Sequence, residues 1–244
     1  MFTCFVASRA TEFRLALIAF GLLAVLFIAL PQIDLATSSL FYRGAGHWAL
    51  NREDLWLAIP YRGLPRIGQG LLVALLVLWL ASFVPRFAKL KARRTLFGFL
   101  LSGALLGPII LVDATIKEHS GRTRPVNIEQ FGGNKQFTPA FIPADQCSQN
   151  CSFVSGHVAT ASFIMAFGWL GAPAARRRWL LASIAFGGLF AVVRMVPGGH
   201  FLSDTIFAWF ATYFSLWVTE WLFRRLGWLP DSNGRQDFPG SRNG

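Results

Sequence analysis

Three short stretches of this chain hold most of the residues able to do chemistry: Lys117, Arg124 and Pro125 in KEHSGRTRP; Ser155, Gly156 and His157 in CSFVSGHVATASF; and Arg194, His200 and Asp204 in RMVPGGHFLSD. Three cations, two imidazoles and a carboxylate make an anion site. His200 and Asp204 are four apart, so they share a face if a helix begins near Leu202. A carboxylate that accepts one ring N–H leaves the other nitrogen with its lone pair, which turns an imidazole into a nucleophile or a base. The stretch around Ser155 passes from polar to apolar within a few residues, as at a helix start, where free backbone N–H groups can hold phosphate oxygens. Gly156 permits close approach of the backbone. Singly, each histidine could be a structural, hydrogen-bonded one, and Lys117 could merely snorkel from a helix end. Asp113, four before Lys117, reads as its intrahelical partner. Arg122 and His119 have no assigned role here beyond the local field or a contact with substrate.

The elements that must position these residues are membrane helices. Of 244 residues, 54% are hydrophobic and only 14% charged, with a formal net charge of +11, a profile of a polytopic membrane protein folded as one bundle. The basic residues stand in short clusters between apolar runs, which sets topology and argues against a nucleic-acid partner. Six stretches, about 15–31, 64–84, 95–116, 153–172, 179–196 and 203–223, have the length and apolarity of a span. The first, preceded by Arg9 and Arg14, is too long for a signal-peptide core and lacks a small-residue cleavage site, so it reads as a retained span. Clusters at Arg86–Arg94 and Arg176–Arg178 then face the cytoplasm with both termini. The connections 32–63, 117–152 and 197–202 face outward, and all three chemical stretches lie at that outer face. Lys117, Arg122, Arg124 and Arg194 sit where topology disfavours basic residues, which points to a functional reason for them. Phe41, Tyr42, Trp48 and Trp56 fit an interfacial segment. The polar, glycine-containing tail 231–244 reads as flexible and cytoplasmic, apart from a membrane domain over 1–230.

Lys117, six residues, then Arg124 and Pro125; SGH at 155–157; and Arg194, five residues, His200, three residues, Asp204: in order and spacing these resemble the three-part signature of the type 2 phosphatidic acid phosphatase superfamily. CSQNCSFVSGH and the early DLATSSLFY look most like its bacterial lipid A phosphatases and their near relatives. Val154 and Val193 stand where many members carry proline and serine. The resemblance implies an all-α six-helix membrane bundle in a bacterial inner membrane with a periplasmic active site. It implies that His200 attacks phosphorus to form a phosphohistidine, that Asp204 orients its ring, and that His157 protonates the leaving oxygen and later activates water. Lys117, Arg124, Ser155, Gly156 and Arg194 would bind the phosphoryl oxygens. No cofactor and no metal is implied, since the cations supply the neutralising charge. The substrate implied is a phosphorylated membrane lipid, lipid A at its 1- or 4′-phosphate, with undecaprenyl pyrophosphate or phosphatidylglycerophosphate as the alternative.

Cys147 and Cys151 fall in the outer loop of an oxidising compartment and could form a disulfide; their spacing is not that of common zinc motifs. Cys4 reads as a free inner thiol. Two other classes stay open at this point. Vanadium haloperoxidases resemble the same site but are soluble and oxidative. A transporter or channel would fit the helix count alone and would tolerate loss of His200.

Overall fold

A computed structural model describes residues 8–230; Cys4 and the tail 231–244 lie outside the described residues. Helix α1 (Arg9–Ala29) opens at Ser8, whose hydroxyl accepts the Thr11 N–H, and it ends where Pro31 breaks the ladder. A short α2 (Gln32–Ser39) and a two-stranded hairpin follow, β1 (Tyr42–Gly44) against β2 (His47–Trp48). Helix α3 (Leu55–Ala81) carries Pro60 and Pro65 inside it. After the short basic α4 (Ala88–Lys91), helix α5 (Arg94–Ala104) widens into π-helical turns over Leu105–Ile116 and closes as α6 (Lys117–His119). Pro108, with no N–H for an ordinary i→i−4 bond, sits in the wide segment. Bonds from Lys117 N to Val112 O and from Thr115 Oγ1 to Ile110 O span five residues instead of four.

The fourth apolar stretch is built from short pieces: α7 (Gly156–Ser162), a 3₁₀ turn (Phe163–Met165) and α8 (Ala166–Trp169). Helices α9 (Pro173–Met195) and α10 (Leu202–Arg225) complete the bundle. Among the described residues, four helices are long and apolar enough to cross a membrane: α1, α3, the α5–α6 rod and α9. Most of α1 faces outward despite its apolarity, and Leu22, Val25, Val73, Val77, Leu181 and Leu189 are exposed likewise, the pattern of helices solvated by lipid.

Helix α10 runs through the middle, against α1, α2, α5, the π segment, α7 and α9. Its lower apolarity has a structural reason. Ser203, Asp204, Thr205, Thr212, Ser215, Thr219 and Glu220 are all buried, so its polar groups are spent inside the bundle and not on lipid. Arg176, counted above among topology-setting charges, is also buried: it bridges to Glu12 of α1 at 2.7 and 2.9 Å and lies over the Trp169 ring. With the Tyr213 hydroxyl on Glu12 and the Arg9–Glu220 pair, it locks α1 and α9 to α10.

At the other end the hairpin and the loop 120–155 cap the bundle. Trp48 packs with Tyr42, Phe131, Ile128 and Phe201 in a small core of its own, whereas Trp56 is 83% exposed. So of the expected interfacial aromatics, Trp48 is a packing residue and Trp56 alone projects freely.

Candidate active site

The three chemical stretches are drawn together by backbone bonds made from one short segment, 151–155. Cys151 N donates to Lys117 O at 3.1 Å, Ser152 N to Arg122 O at 2.8 Å, and Ser155 N to Asp204 O at 3.0 Å. A disulfide joins Cys147 to Cys151 at the entry to this segment. The third stretch is shaped by the end of α9. Gly198, at φ +65°, donates to Met195 O, and Gly199 donates to Arg194 O, the paired bonds that reverse a chain at a helix C-terminus. A Cβ on Gly198 would run into the Trp48 indole. The reversal is what brings His200 back beside Arg194.

His200 is 2% exposed and its Nδ1 lies 2.8 Å from the Ser152 carbonyl oxygen. A carbonyl only accepts, so Nδ1 carries the hydrogen and Nε2 keeps its lone pair. The Asp204 carboxylate, expected as the direct partner, stands 3.5 Å from Nδ1 and acts through Ser152 as well, whose hydroxyl donates to Asp204 Oδ2 at 2.5 Å. The same oxygen accepts the Phe201 N–H at 2.8 Å, so Asp204 also caps the start of α10. Burial pushes His200 down to about 3, with Arg194 and Arg124 adding to the shift and Asp204 opposing it. The ring is neutral at physiological pH.

His157 stacks on the Tyr61 ring, centroids 4.8 Å apart, and its Nε2 lies 2.9 Å from the Tyr61 carbonyl oxygen. That carbonyl is available because residue 65, its partner in a regular helix, is proline. By the same tautomer argument Nε2 is protonated and Nδ1 carries the lone pair. The Arg194 guanidinium lies 4.5 Å from the same Tyr61 ring centroid. Arg194 is 2% exposed, and its Nε and Nη1 donate to no group among the described residues; nor does the fully buried Ser155 hydroxyl. Ser155 therefore occupies the N-cap of α7 without spending its hydroxyl on the cap. Gly156 abuts Asp113, whose carboxylate a Cβ would strike, and Asp113 pairs with Lys117 at 3.3 Å. Arg124 donates to the backbone and side-chain oxygens of Asn150 at 2.9 and 3.1 Å. The charges of Arg194, Lys117 and Arg124 all act on His157. The structure thus brings Lys117, Arg124, Ser155, Gly156, His157, Arg194, His200 and Asp204 to one end of the bundle. Above Arg124 opens a polar cleft of about 1090 Å³ between the hairpin side and loop 145–150.

A buried guanidinium and hydroxyl with unspent donors beside a neutral imidazole are suited to hold a tetrahedral oxyanion against Nε2. A family model described as the PAP2 superfamily matches residues 92–228, a range that contains every one of these side chains. The chain belongs to the PAP2 superfamily. It is 35% identical over 207 residues to a lipid A 4′-phosphatase of Francisella tularensis subsp. novicida (strain U112), covering 82% of this chain and 90% of that one. A lipid A 4′-phosphatase of Rhizobium leguminosarum is 32% identical over 205 residues, covering 79% and 87%. One of Rhizobium etli is 32% identical over 218 residues, covering 79% of each chain. No solved structure matches.

Beside these side chains of the PAP2 chain lie residues to which the sequence assigned no role. Arg122 is buried and donates through Nη1 to Asp204 Oδ1 at 2.5 Å and through Nη2 to Asp34 Oδ2 at 2.8 Å. Ser152 and Tyr61 hold the two histidines. Arg52 faces the cleft, and its charge, after burial, is the leading cause that lowers Arg124. An arginine at the outer end of a span was the one available signal for Arg122; nothing in the sequence pairs it with a carboxylate 88 positions earlier.

Proposed function

We propose that this chain is a membrane lipid phosphatase that removes the 4′-phosphate of lipid A by way of a phosphohistidine on His200. The observation that carries the reading is the set of unspent buried donors, Arg194 Nε and Nη1 and Ser155 Oγ, beside an imidazole whose tautomer leaves Nε2 nucleophilic. The choice of lipid and position rests on the three relatives, each named for the 4′-phosphate of lipid A.

In this mechanism Nε2 of His200 attacks phosphorus as the bond to the sugar oxygen breaks. Arg194, Arg124, Lys117, Ser155 and the Gly156 amide hold the three non-bridging oxygens, whose charge grows in the transition state. His157 gives a proton from Nδ1 to the leaving oxygen; a phosphate monoester that arrives as its monoanion can supply that proton. Water then attacks the phosphohistidine, with Nδ1 of His157 as base, and His200 leaves as neutral imidazole. Asp204 balances the positive charge on the phosphorylated ring.

The α7–α8 segment and α10 complete six spans in this reading. The basic clusters at Arg86–Arg94 and Arg177–Arg178 support a topology with both termini in the cytoplasm and the site at the periplasmic face of a bacterial inner membrane. A site at the membrane surface lets a lipid present its headgroup while its chains stay among the helices. The test is phosphate release by purified protein in detergent from lipid A, undecaprenyl pyrophosphate and phosphatidylglycerophosphate. Preferential loss of the 4′-phosphate, read by mass spectrometry, is expected, with His200→Ala folded and inactive. Equal kcat/KM on all three lipids overturns the lipid A assignment, and an active His200→Ala overturns the mechanism.

A further inference from the structure

We propose that Asp34, on α2, is a positioning residue for this reaction: by sharing Arg122 it leaves one net negative charge to face His200. The inference rests on the phosphohistidine reading above. Arg122 is 1% exposed and lies between two carboxylates, Asp34 and Asp204, each 0% exposed. Ser203 ties the pair together: its hydroxyl donates to Asp34 Oδ2 at 2.6 Å and accepts from Arg122 Nη1 at 2.8 Å, while its N–H donates to Asp34 Oδ1 at 2.9 Å. The remaining guanidinium edge donates to Thr138 O at 2.9 Å and packs over Phe201, so Arg122 is closed off from water and from the phosphate site.

The charge count decides what this arrangement can do. An Arg122–Asp204 pair alone is neutral, so what it offers a positive ring is only the excess of the near carboxylate over the guanidinium behind it. Burial pushes the Asp34 carboxyl up, but both its oxygens only accept, from Arg122 and from the Ser203 hydroxyl and N–H, which favours the carboxylate. With Asp34 ionised the group carries one cation and two carboxylates, a net of one negative charge. Asp204 is the member nearest His200, at 3.5 Å and through Ser152. That charge is needed only when the ring becomes cationic, which happens when Nε2 is bonded to phosphorus while Nδ1 keeps its hydrogen. At that moment Arg194 and Arg124 raise the energy of the ring's charge, and the surplus carboxylate offsets them. A group whose effect grows along the reaction coordinate changes kcat and leaves ground-state binding alone. Two buried carboxylates around one guanidinium cost stability if they only brace the fold, which is a further reason to assign them a task.

The experiment compares Asp34→Asn, Arg122→Gln and the double variant in the phosphate-release assay, with folding followed by thermal melting in detergent. Asp34→Asn keeps the shape and an acceptor for Ser203 N–H but removes the surplus charge. Its kcat is expected to fall about 10- to 100-fold, by analogy with residues that orient the histidine ligands of metal sites, with KM little changed. Trapped phosphohistidine should form more slowly by the same factor. In the double variant Asp204 again carries an unshared negative charge, and kcat is expected to recover well above that of Asp34→Asn. A purely structural role predicts the opposite, a double variant no better than its worse parent. Wild-type kcat in Asp34→Asn, a change in KM alone, or no recovery in the double variant overturns the proposal. Should Asp34→Asn fail to fold, the double variant is compared with wild type directly, and a folded but inactive double variant overturns it. A wild-type protein that forms no phosphohistidine sinks the mechanism itself, an outcome distinct from all of these.

Discussion

The carbonyl oxygen of Tyr61 accepts the Nε2–H of His157 at 2.9 Å because the residue four positions further along α3 is Pro65. In an unbroken helix that carbonyl would also receive the N–H of residue 65, and His157 would have to share its acceptor. A proline that costs the helix a hydrogen bond thereby fixes the tautomer of a histidine on another helix.

Pro65→Ala tests this directly. The new N–H competes for the Tyr61 carbonyl, so His157 is expected to lose its fixed tautomer and kcat to fall roughly tenfold or more, within the range attributed to a general acid or base. The melting temperature is expected to rise, since an interior proline costs a helix on the order of 3 kcal/mol. Higher stability with lower activity is the signature; unchanged kcat removes the link between Pro65 and His157.

Much of this site is legible from the sequence because its motifs are local. The pairing of Lys117 with Asp113 follows from a separation of four on a helix, and the closeness of His200 and Asp204 follows likewise. What was not legible is whatever depends on distant segments meeting. Asp34 reaches Arg122 across 88 residues, and Tyr61 reaches His157 across 96. Hydropathy found α1, α3, α5–α6 and α9 by their lipid-facing surfaces. It also marked the stretches that became α7–α8 and α10, but it could not show that α10 spends its polar side chains on its neighbours, because amphipathic contrast vanishes when a helix is surrounded.

Gly156 is required by a close approach and not by its backbone angles. Gly156→Ala places a methyl group against the Asp113 carboxylate, the end of a half-exposed side chain that can turn aside by giving up its pairing with Lys117, at less than the about 1–3 kcal/mol of overpacking a closed core. The expected result is a small drop in melting temperature and a loss of kcat, since Lys117 loses the carboxylate that positions it. Gly156→Ala with Asp113→Ser makes room and is expected to recover stability. Recovery of neither property would place the requirement for glycine elsewhere.

His200 has a signature in the pH dependence of stability. Its folded value of about 3 lies below the ordinary 6.5, so between these limits the unfolded chain takes up a proton that the folded chain refuses. Unfolding is then favoured as pH falls, and stability rises with pH across the window. His200→Asn removes this contribution. The melting temperature of wild type is expected to drop more than that of the variant between about pH 7 and pH 4.5. The acid limb of kcat/KM should not be set by His200 at any pH above about 4. Parallel melting curves for the two proteins over that range would show that His200 is not held neutral by burial.

The Cys147–Cys151 disulfide closes a short loop that contains Asn150, the residue whose two oxygens hold Arg124. Closing so few residues stabilises less than the roughly 3 kcal/mol expected for a 15-residue loop, so its effect on global unfolding is small. Its local effect is larger, because Asn150 sits at φ +49°, a left-handed conformation that a free loop seldom keeps. Without the bridge, Arg124 loses fixed acceptors at the mouth of the site and gains mobility. Cys147→Ser with Cys151→Ser, or reduction of wild type, is therefore expected to lower kcat/KM several-fold and to lower the melting temperature only slightly. Arg124→Ala is expected to cost more, and loss of the disulfide should add little further in an Arg124→Ala background. If instead the two changes multiply, the disulfide acts on binding by a route that does not pass through Arg124.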